Sequence, residues 1–179
     1  PKEGKIVNIP TDFSQFTQSI PEFESMEAEL AYFSTKFSYK KEDGKVLGKH
    51  QGAHYFTKGQ RKGLNVGGTK EALYVIETDV EENIIYTGEG KNHAGLYRNV
   101  LFVSNEEVHW IREDLILKPG EKMEVSARIR YRQTLEKATL HQVKTGLYVA
   151  FENKQSAIQE GQFVAWYNQE ELLGSGVIS

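Results

Sequence analysis

Two histidines four residues apart, His50 and His54 in HQGAH, are the first pair in this chain whose spacing suggests chemistry. A zinc site of the HExxH kind needs both imidazoles on one helical turn with a glutamate between them. Here Gly52 stands between them and no glutamate does. On a strand the pair would share a face, but no third ligand is evident, so no metal site is assigned. His93, His109 and His141 are isolated. The run GLNVGGTK (63–70) fails the phosphate-loop spacing GxxxxGK[ST], because Thr69 separates Gly68 from Lys70. There is no GxGxxG, no Ser–His–Asp order and no paired-carboxylate motif, since Glu81-Glu82 and Glu106-Glu107 read as solvent-facing. The absence of cysteine removes thiolate ligands, disulfides and a thiol nucleophile. Residue types alone therefore point to a binding module with no catalytic residues of its own.

Charge indicates what it would bind. The formal net charge of −3 conceals a segregation: residues 36–70 carry nine cations against Glu42 and Asp43, while the stretches on either side are acidic. A local basic patch is a solvated face or a polyanion contact. Within it GQRKG (59–63) offers two glycines, the Gln60 amide and the charges of Arg61 and Lys62. Such a turn suits RNA phosphates and riboses, or is simply a glycine-punctuated surface turn. Further on, Arg128, Arg130 and Arg132 alternate with Met123, Val125, Ala127, Ile129 and Tyr131. A strand over 123–132 would place the arginines on one face as a guanidinium ladder, suited to phosphates or to surface carboxylates.

The elements that must position these groups are mostly strands. SIPEFESMEAELAYF predicts one helix, with Pro21 in its first turn and Phe23, Met26, Leu30 and Phe33 on one apolar face. ALYVIETD and NIIYTGEG (72–79 and 83–90) predict a hairpin. GKNHAG (90–95) is a turn-rich junction and marks a domain boundary. After it NVLFV, EKMEVSARIRYRQ, KATLHQV, GLYVAFEN, GQFVAWYN and ELLGSGVIS follow one another at the short regular spacing of a small antiparallel barrel or sandwich. The expected fold is mainly β (α+β). A small central β-rich domain (1–95), with an inserted helix in an insertion at about 10–43, precedes a C-terminal antiparallel β-barrel (96–179). No apolar run reaches the length of a membrane span.

Several of these stretches together, GKVLGKHQGAHYFTKGQRKGLNVGG (44–68), LYVIETDVEENIIYTGEG, EVHWI, ARIRYRQ, EGQFVAWYN and LLGSGVIS, occur in an order that resembles the C-terminal part of tRNA-specific 2-thiouridylases, the MnmA/TrmU family. The resemblance covers about 44–179. It implies an enzyme in which an N-terminal domain uses ATP and Mg to adenylate the wobble uridine of tRNA. A cysteine persulfide there delivers sulfur obtained from a donor protein. This chain shows neither the SGGxDS loop of that domain nor any cysteine, and it starts without a methionine. The expectation is a cytoplasmic tRNA-binding portion, inactive alone and without cofactor, whose partners are tRNA and the missing N-terminal catalytic domain. Carried over by motif, the family's tRNA contacts fall on Arg130, Tyr131 and Gln162. Arg128, Arg132, Gln60, Arg61 and Lys62 are electrostatic additions to that set. The segment between GKIVNI and Gly44 departs from the family pattern and reads as an insertion of unassigned role. Two other readings stand beside this one: a translation-factor-like barrel serving as a non-catalytic interaction module, and a barrel with a small-molecule site such as a flavin would use.

Overall fold

The structure, a computed structural model, describes residues 2–179. Its elements run β1 (Gly4–Asn8), α1 (Ser14–Thr17), α2 (Met26–Ser34), β2 (Lys45–His50), β3 (Leu73–Asp79) and β4 (Ile84–Glu89). They continue with β5 (Tyr97–Ser104), β6 (Val108–Trp110), β7 (Lys122–Arg128), β8 (Glu136–Gln142), β9 (Gly146–Ser156), β10 (Phe163–Asn168) and β11 (Glu171–Val177). Strands take 41% of the chain and helices 16%, which makes the fold mainly β. Contacts divide it into two compact units: residues up to Pro21 together with Phe37–Tyr97, and Glu22–Lys36 together with Arg98–Ser179. Residues 22–36, which the sequence groups with the first domain, thus pack within the second unit.

The first unit is a four-stranded sheet in the order β2-β1-β4-β3. The hairpin β3–β4 forms as its sequence predicts. β1, which the sequence pattern does not single out, runs parallel to β4 and antiparallel to β2. Its Ile6 and Val7 are wholly buried on opposite faces, as alternation in a strand covered on both sides requires. Ile6 packs with Ala53, Leu64, Val75 and Ile85, and Phe56 and Val66 close over them. The glycine-rich basic run is therefore first of all the cover of one sheet face. Phe13, Phe16 and Tyr39 cover the other face, over Val7, Ile76 and Tyr86. The edge of β3 is occupied too: Gly59 N–H donates to Val75 O at 2.7 Å and Val75 N–H to Gln60 O at 2.9 Å, beside a register shift between Val75 and Glu77.

The second unit is a curled antiparallel half-barrel of seven strands, in the order β5-β9-β8-β7-β10-β11-β6. Its core gathers around Leu101, Leu140, Leu147, Val149, Val164 and a fully buried Trp166, against which Trp110 stands edge to face at 5.4 Å. The Ser179 N–H donates to Phe102 O at 2.9 Å, which returns the end of the chain to β5.

Helix α2 lies against this sheet, with Leu30 buried among Val100, Val143 and Tyr148. It begins later than the apolar spacing predicts. Ser25 is extended and its hydroxyl accepts from Ala28 N–H at 3.1 Å, so the cap falls there, with Glu27 and Glu29 in the first turn. Pro21 and Phe23 thus lie outside the helix, and Phe23 turns back onto Tyr32 and Phe33. Met26 is 57% exposed and belongs to no apolar face.

Candidate nucleic-acid interface

The alternation of β7 holds only as far as Ile129. Val125, Ala127 and Ile129 are buried, with Glu124, Ser126 and Arg128 on the other face. There Gln133 intervenes: its Oε1 accepts from Ile129 N–H at 3.0 Å, and its own N–H donates to Arg130 O at 3.1 Å, closing a turn. A backbone donor engaged by a side chain cannot also continue the ladder. The expected guanidinium ladder is thereby corrected. The strand ends at Arg128, while Arg130 and Arg132 ride on the turn. Tyr131 does not point inward with Ile129 either, and stands 86% exposed on that turn.

The turn is braced from below. Arg130 Nη2 donates to Ser156 O (2.9 Å) and to Ala157 O (3.0 Å), and burial pulls its pKa below the ordinary guanidinium value, still far above neutrality. Gln133 Nε2 donates to Oε1 of the buried Gln155, whose own Nε2 donates to Asn153 O at 3.0 Å. Both residues tie RYRQ to the end of β9. That leaves Tyr131 and Arg132 as the side chains the turn presents.

Arg128 is also occupied. Its Cζ lies 5.5 Å from the ring centroid of Tyr131 and 5.2 Å from that of Tyr167, and Nη2 meets the Tyr167 hydroxyl at 3.0 Å. Register places Ala165 opposite Arg128, so the start of β10 lies at the same end of the sheet as the turn. Gln162, just before β10, donates its N–H to Gln159 O and accepts at its carbonyl from Ile178 N–H. Its side-chain Oε1 is buried and has no partner among the described residues. Arg128, Arg130, Tyr131, Arg132 and Gln162 are therefore brought to one end of the half-barrel. Gln133 and Tyr167 belong to the arrangement but escaped the sequence reading. Gln133 looks like a mere terminus of RYRQ, and Tyr167 gains its place only through strand register.

Gln60, Arg61 and Lys62 lie in the first unit. The Gln60 amide is spent within its own turn, accepting from Thr57 N–H at 3.2 Å and donating to Lys62 O at 2.9 Å, while Gly59 and Gly63 take positive φ. Arg61 and Lys62 remain exposed. The basic segment 36–70 is not one patch. Lys36 pairs with Glu160 in the second unit, and Lys58 pairs with Glu77 at 3.2 Å, both side chains largely buried. A separate cluster forms where Lys5 faces Lys49 across β1–β2. The ammonium of Lys41 close beside it holds the Lys5 ammonium below the ordinary lysine range, while Glu3 raises Lys49.

His50 and His54 are not brought together as ligands. His54 stacks on Tyr55. His50 is buried, with Nε2 bonded to Asn83 O at 3.1 Å and Nδ1 accepting from Gly52 N–H at 3.0 Å. His93 repeats this clasp: Nε2 meets Ile9 O at 3.0 Å and Nδ1 accepts from Gly95 N–H at 3.1 Å. Each ring sits on a strand glycine. A Cβ on Gly4 would come within 2.5 Å of His50, and one on Gly88 within 2.4 Å of His93. Both rings are neutral Nε2–H tautomers, and burial lowers both pKa values. Among the described residues no group of three His, Cys, Asp or Glu could hold a metal ion.

A small mixed sheet and a curled half-barrel define a pair of β modules, and each has a counterpart among known families. Residues 37–89 match the model described as the tRNA methyl transferase PRC-barrel domain, and residues 102–178 the aminomethyltransferase beta-barrel domain. The tRNA-specific 2-thiouridylase MnmA of Flavobacterium johnsoniae is 62% identical over 179 residues, which is 100% of this chain and 45% of that protein. The corresponding protein of Christiangramia forsetii is 58% identical over 178 residues (99% of this chain, 45% of that protein). That of Karelsulcia muelleri is 54% identical over 147 residues (82% and 38%). The chain belongs to the tRNA-specific 2-thiouridylase family and matches its central and C-terminal domains. It spans less than half the length of these relatives. The matches fit this family and do not fit a translation-factor-like interaction barrel.

Proposed function

We propose that this chain is the tRNA-holding portion of a 2-thiouridylase, a sulfurtransferase that converts the wobble uridine of tRNA to 2-thiouridine. The observation that carries the reading is the braced turn 130–133. Arg130 and Gln133 fix its base, so that Tyr131 and Arg132 are presented to solvent. A large ring left in water on a rigid turn, beside a free guanidinium, suits a base and a phosphate together. Gln162, with its unpartnered buried oxygen, lies at the same end. In the first unit Arg61, Lys62 and the Lys5–Lys41–Lys49 cluster supply further cationic surface, and Gln60 shapes the turn that carries Arg61 and Lys62.

Sulfur delivery is assigned to the rest of the enzyme, because a persulfide needs a cysteine and this chain has none. The same holds for ATP and Mg. The described residues offer neither a phosphate loop nor a three-ligand metal cluster, so the chain does not fit these groups and takes no step through them. A sulfur-donor protein and the N-terminal catalytic domain complete the expected partners, with the cytoplasm as the place of work. No helix among the described residues is long and apolar enough to cross a membrane.

The test is tRNA binding by the chain over a series of salt concentrations. Binding should fall steeply as salt rises, and Arg132→Ala should flatten the log–log slope by about one unit while weakening all tRNAs alike. Binding that ignores salt, or its absence at low ionic strength, would remove the proposal.

A further inference from the structure

Exposed aromatic rings on one face of the second unit follow a pattern that its core does not require. Along β10, Val164 and Trp166 are wholly buried, so Phe163, Ala165 and Tyr167 share the opposite face. Phe163 is 66% exposed and Tyr131 86%, the two most exposed large apolar side chains among the described residues. Register sets Arg128 opposite Ala165, between the levels of Phe163 and Tyr167. Its guanidinium lies within cation–π range of both Tyr131 and Tyr167 and is held by the Tyr167 hydroxyl. Past Tyr167 the same face opens into a shallow groove of about 480 Å³, lined by Ser126, Thr139, Asn168 and Gln169 among others. These side chains offer donors and acceptors. Glu124 and Glu152 in the same groove outweigh its one cation, Lys137, and disfavour phosphate, so bases rather than backbone would face the sheet. Rings around a cation, backed by a groove polar enough for base edges, are what an unpaired strand stacks upon.

We propose that Tyr131, Phe163 and Tyr167, set around Arg128, form a stacking platform for unpaired RNA bases. This rests on the reading of the chain as tRNA-binding, and it deepens that reading by naming the part of the RNA engaged. Tyr131 and Phe163 offer the free ring faces. Arg128 backs Tyr131 and is itself held by Tyr167, so these two are positioning residues and not phosphate contacts.

The experiment measures the affinity of the 179-residue chain for a tRNA transcript, a single-stranded oligonucleotide, a fully paired RNA duplex and UMP. Tyr131→Ala and Phe163→Ala should each weaken the transcript and the single strand roughly tenfold, leaving the duplex and the salt slope unchanged. Tyr131→Phe and Phe163→Tyr should bind as wild type. Arg128→Ala should lose as much as Tyr131→Ala, without adding to it in the double variant, and Tyr167→Phe should lose part of it. Wild-type tRNA binding that survives unchanged in Tyr131→Ala and Phe163→Ala overturns the platform alone. Competition by UMP at the concentration of the oligonucleotide overturns RNA as the ligand, in favour of a free nucleotide. Loss of a full unit of salt slope in Arg128→Ala overturns its positioning role, and failure of the wild type to bind tRNA removes both readings.

Discussion

Arg130 shows how a residue type can suggest one partner while the fold gives it another. The motif RYRQ advertises two cations and a ring, and the natural inference is that the arginines face the ligand. In the structure Arg130 turns Nη2 onto two carbonyls at and just past the end of β9, and the ring is what the turn displays. This separation of roles predicts that Arg130→Lys, which keeps the charge but ends in a shorter head without the planar guanidinium that places Nη2, weakens tRNA binding nearly as much as Arg130→Ala. A lysine that binds as well as the arginine would return Arg130 to the role of a plain charge. The same scale holds the two histidine clasps. Their folded pKa values are lowered, so the folded state keeps both rings neutral while the unfolded chain takes up protons below a pH of about 6.5. Their contribution is complete above that pH and is lost as the pH falls through the folded values, because a protonated Nδ1 can no longer accept from Gly52 or Gly95. The unfolding midpoint should accordingly drop between pH 7.5 and pH 5.5. In a His50→Gln, His93→Gln variant the drop should be smaller, which melting curves at the two pH values will show. At this scale the sequence names candidate residues and not what they touch. Nothing in HxG, twice repeated, announces that each ring will rest on a glycine of a neighbouring strand.

Legibility at the level of elements follows the range of the pairing. The β3–β4 hairpin is local, and its two alternating runs and short loop are plain in the sequence. Six of the seven strands of the half-barrel are legible as short β-rich runs between turn residues, whereas β6, only three residues long, is not singled out by the pattern. β1 is hidden because it is five residues long and its partners β2 and β4 lie far along the chain. Its burial comes from covers that no local pattern describes. β7 is predicted too long because alternation runs on past the point where Gln133 captures Ile129 N–H. Helix α2 is found, yet its start is set by the Ser25 cap and not by the apolar spacing that draws the eye to Pro21 and Phe23. Its hold on the sheet depends on Leu30, the one buried residue of the helix. Leu30→Ala should cost about 2–5 kcal/mol if the site does not collapse, and should expose 22–36 to limited proteolysis. Met26→Ala, on the solvent side, should change neither the melting midpoint nor the cleavage pattern.

For the molecule as a whole, the division into a central and a barrel part is visible in the sequence as a change of rhythm after GKNHAG. What stays invisible is that residues 22–36 leave one unit and fold with the other. Charge behaves likewise. The nine cations of 36–70 read as one patch because they are contiguous, but folding scatters them into ion pairs and separate clusters, and each surviving cationic site must be weighed alone. The placement of α2 has a consequence for the order of events during synthesis. α2 is made before the strands that receive Leu30, at 97–104 and 146–156, which lie far further along the chain. β1 waits in the same way for β4. The nascent chain thus carries Leu30 uncovered until β9 is made and β1 unpaired until β4 is, and must fold through long-range closures that are slow and prone to mispairing with another copy.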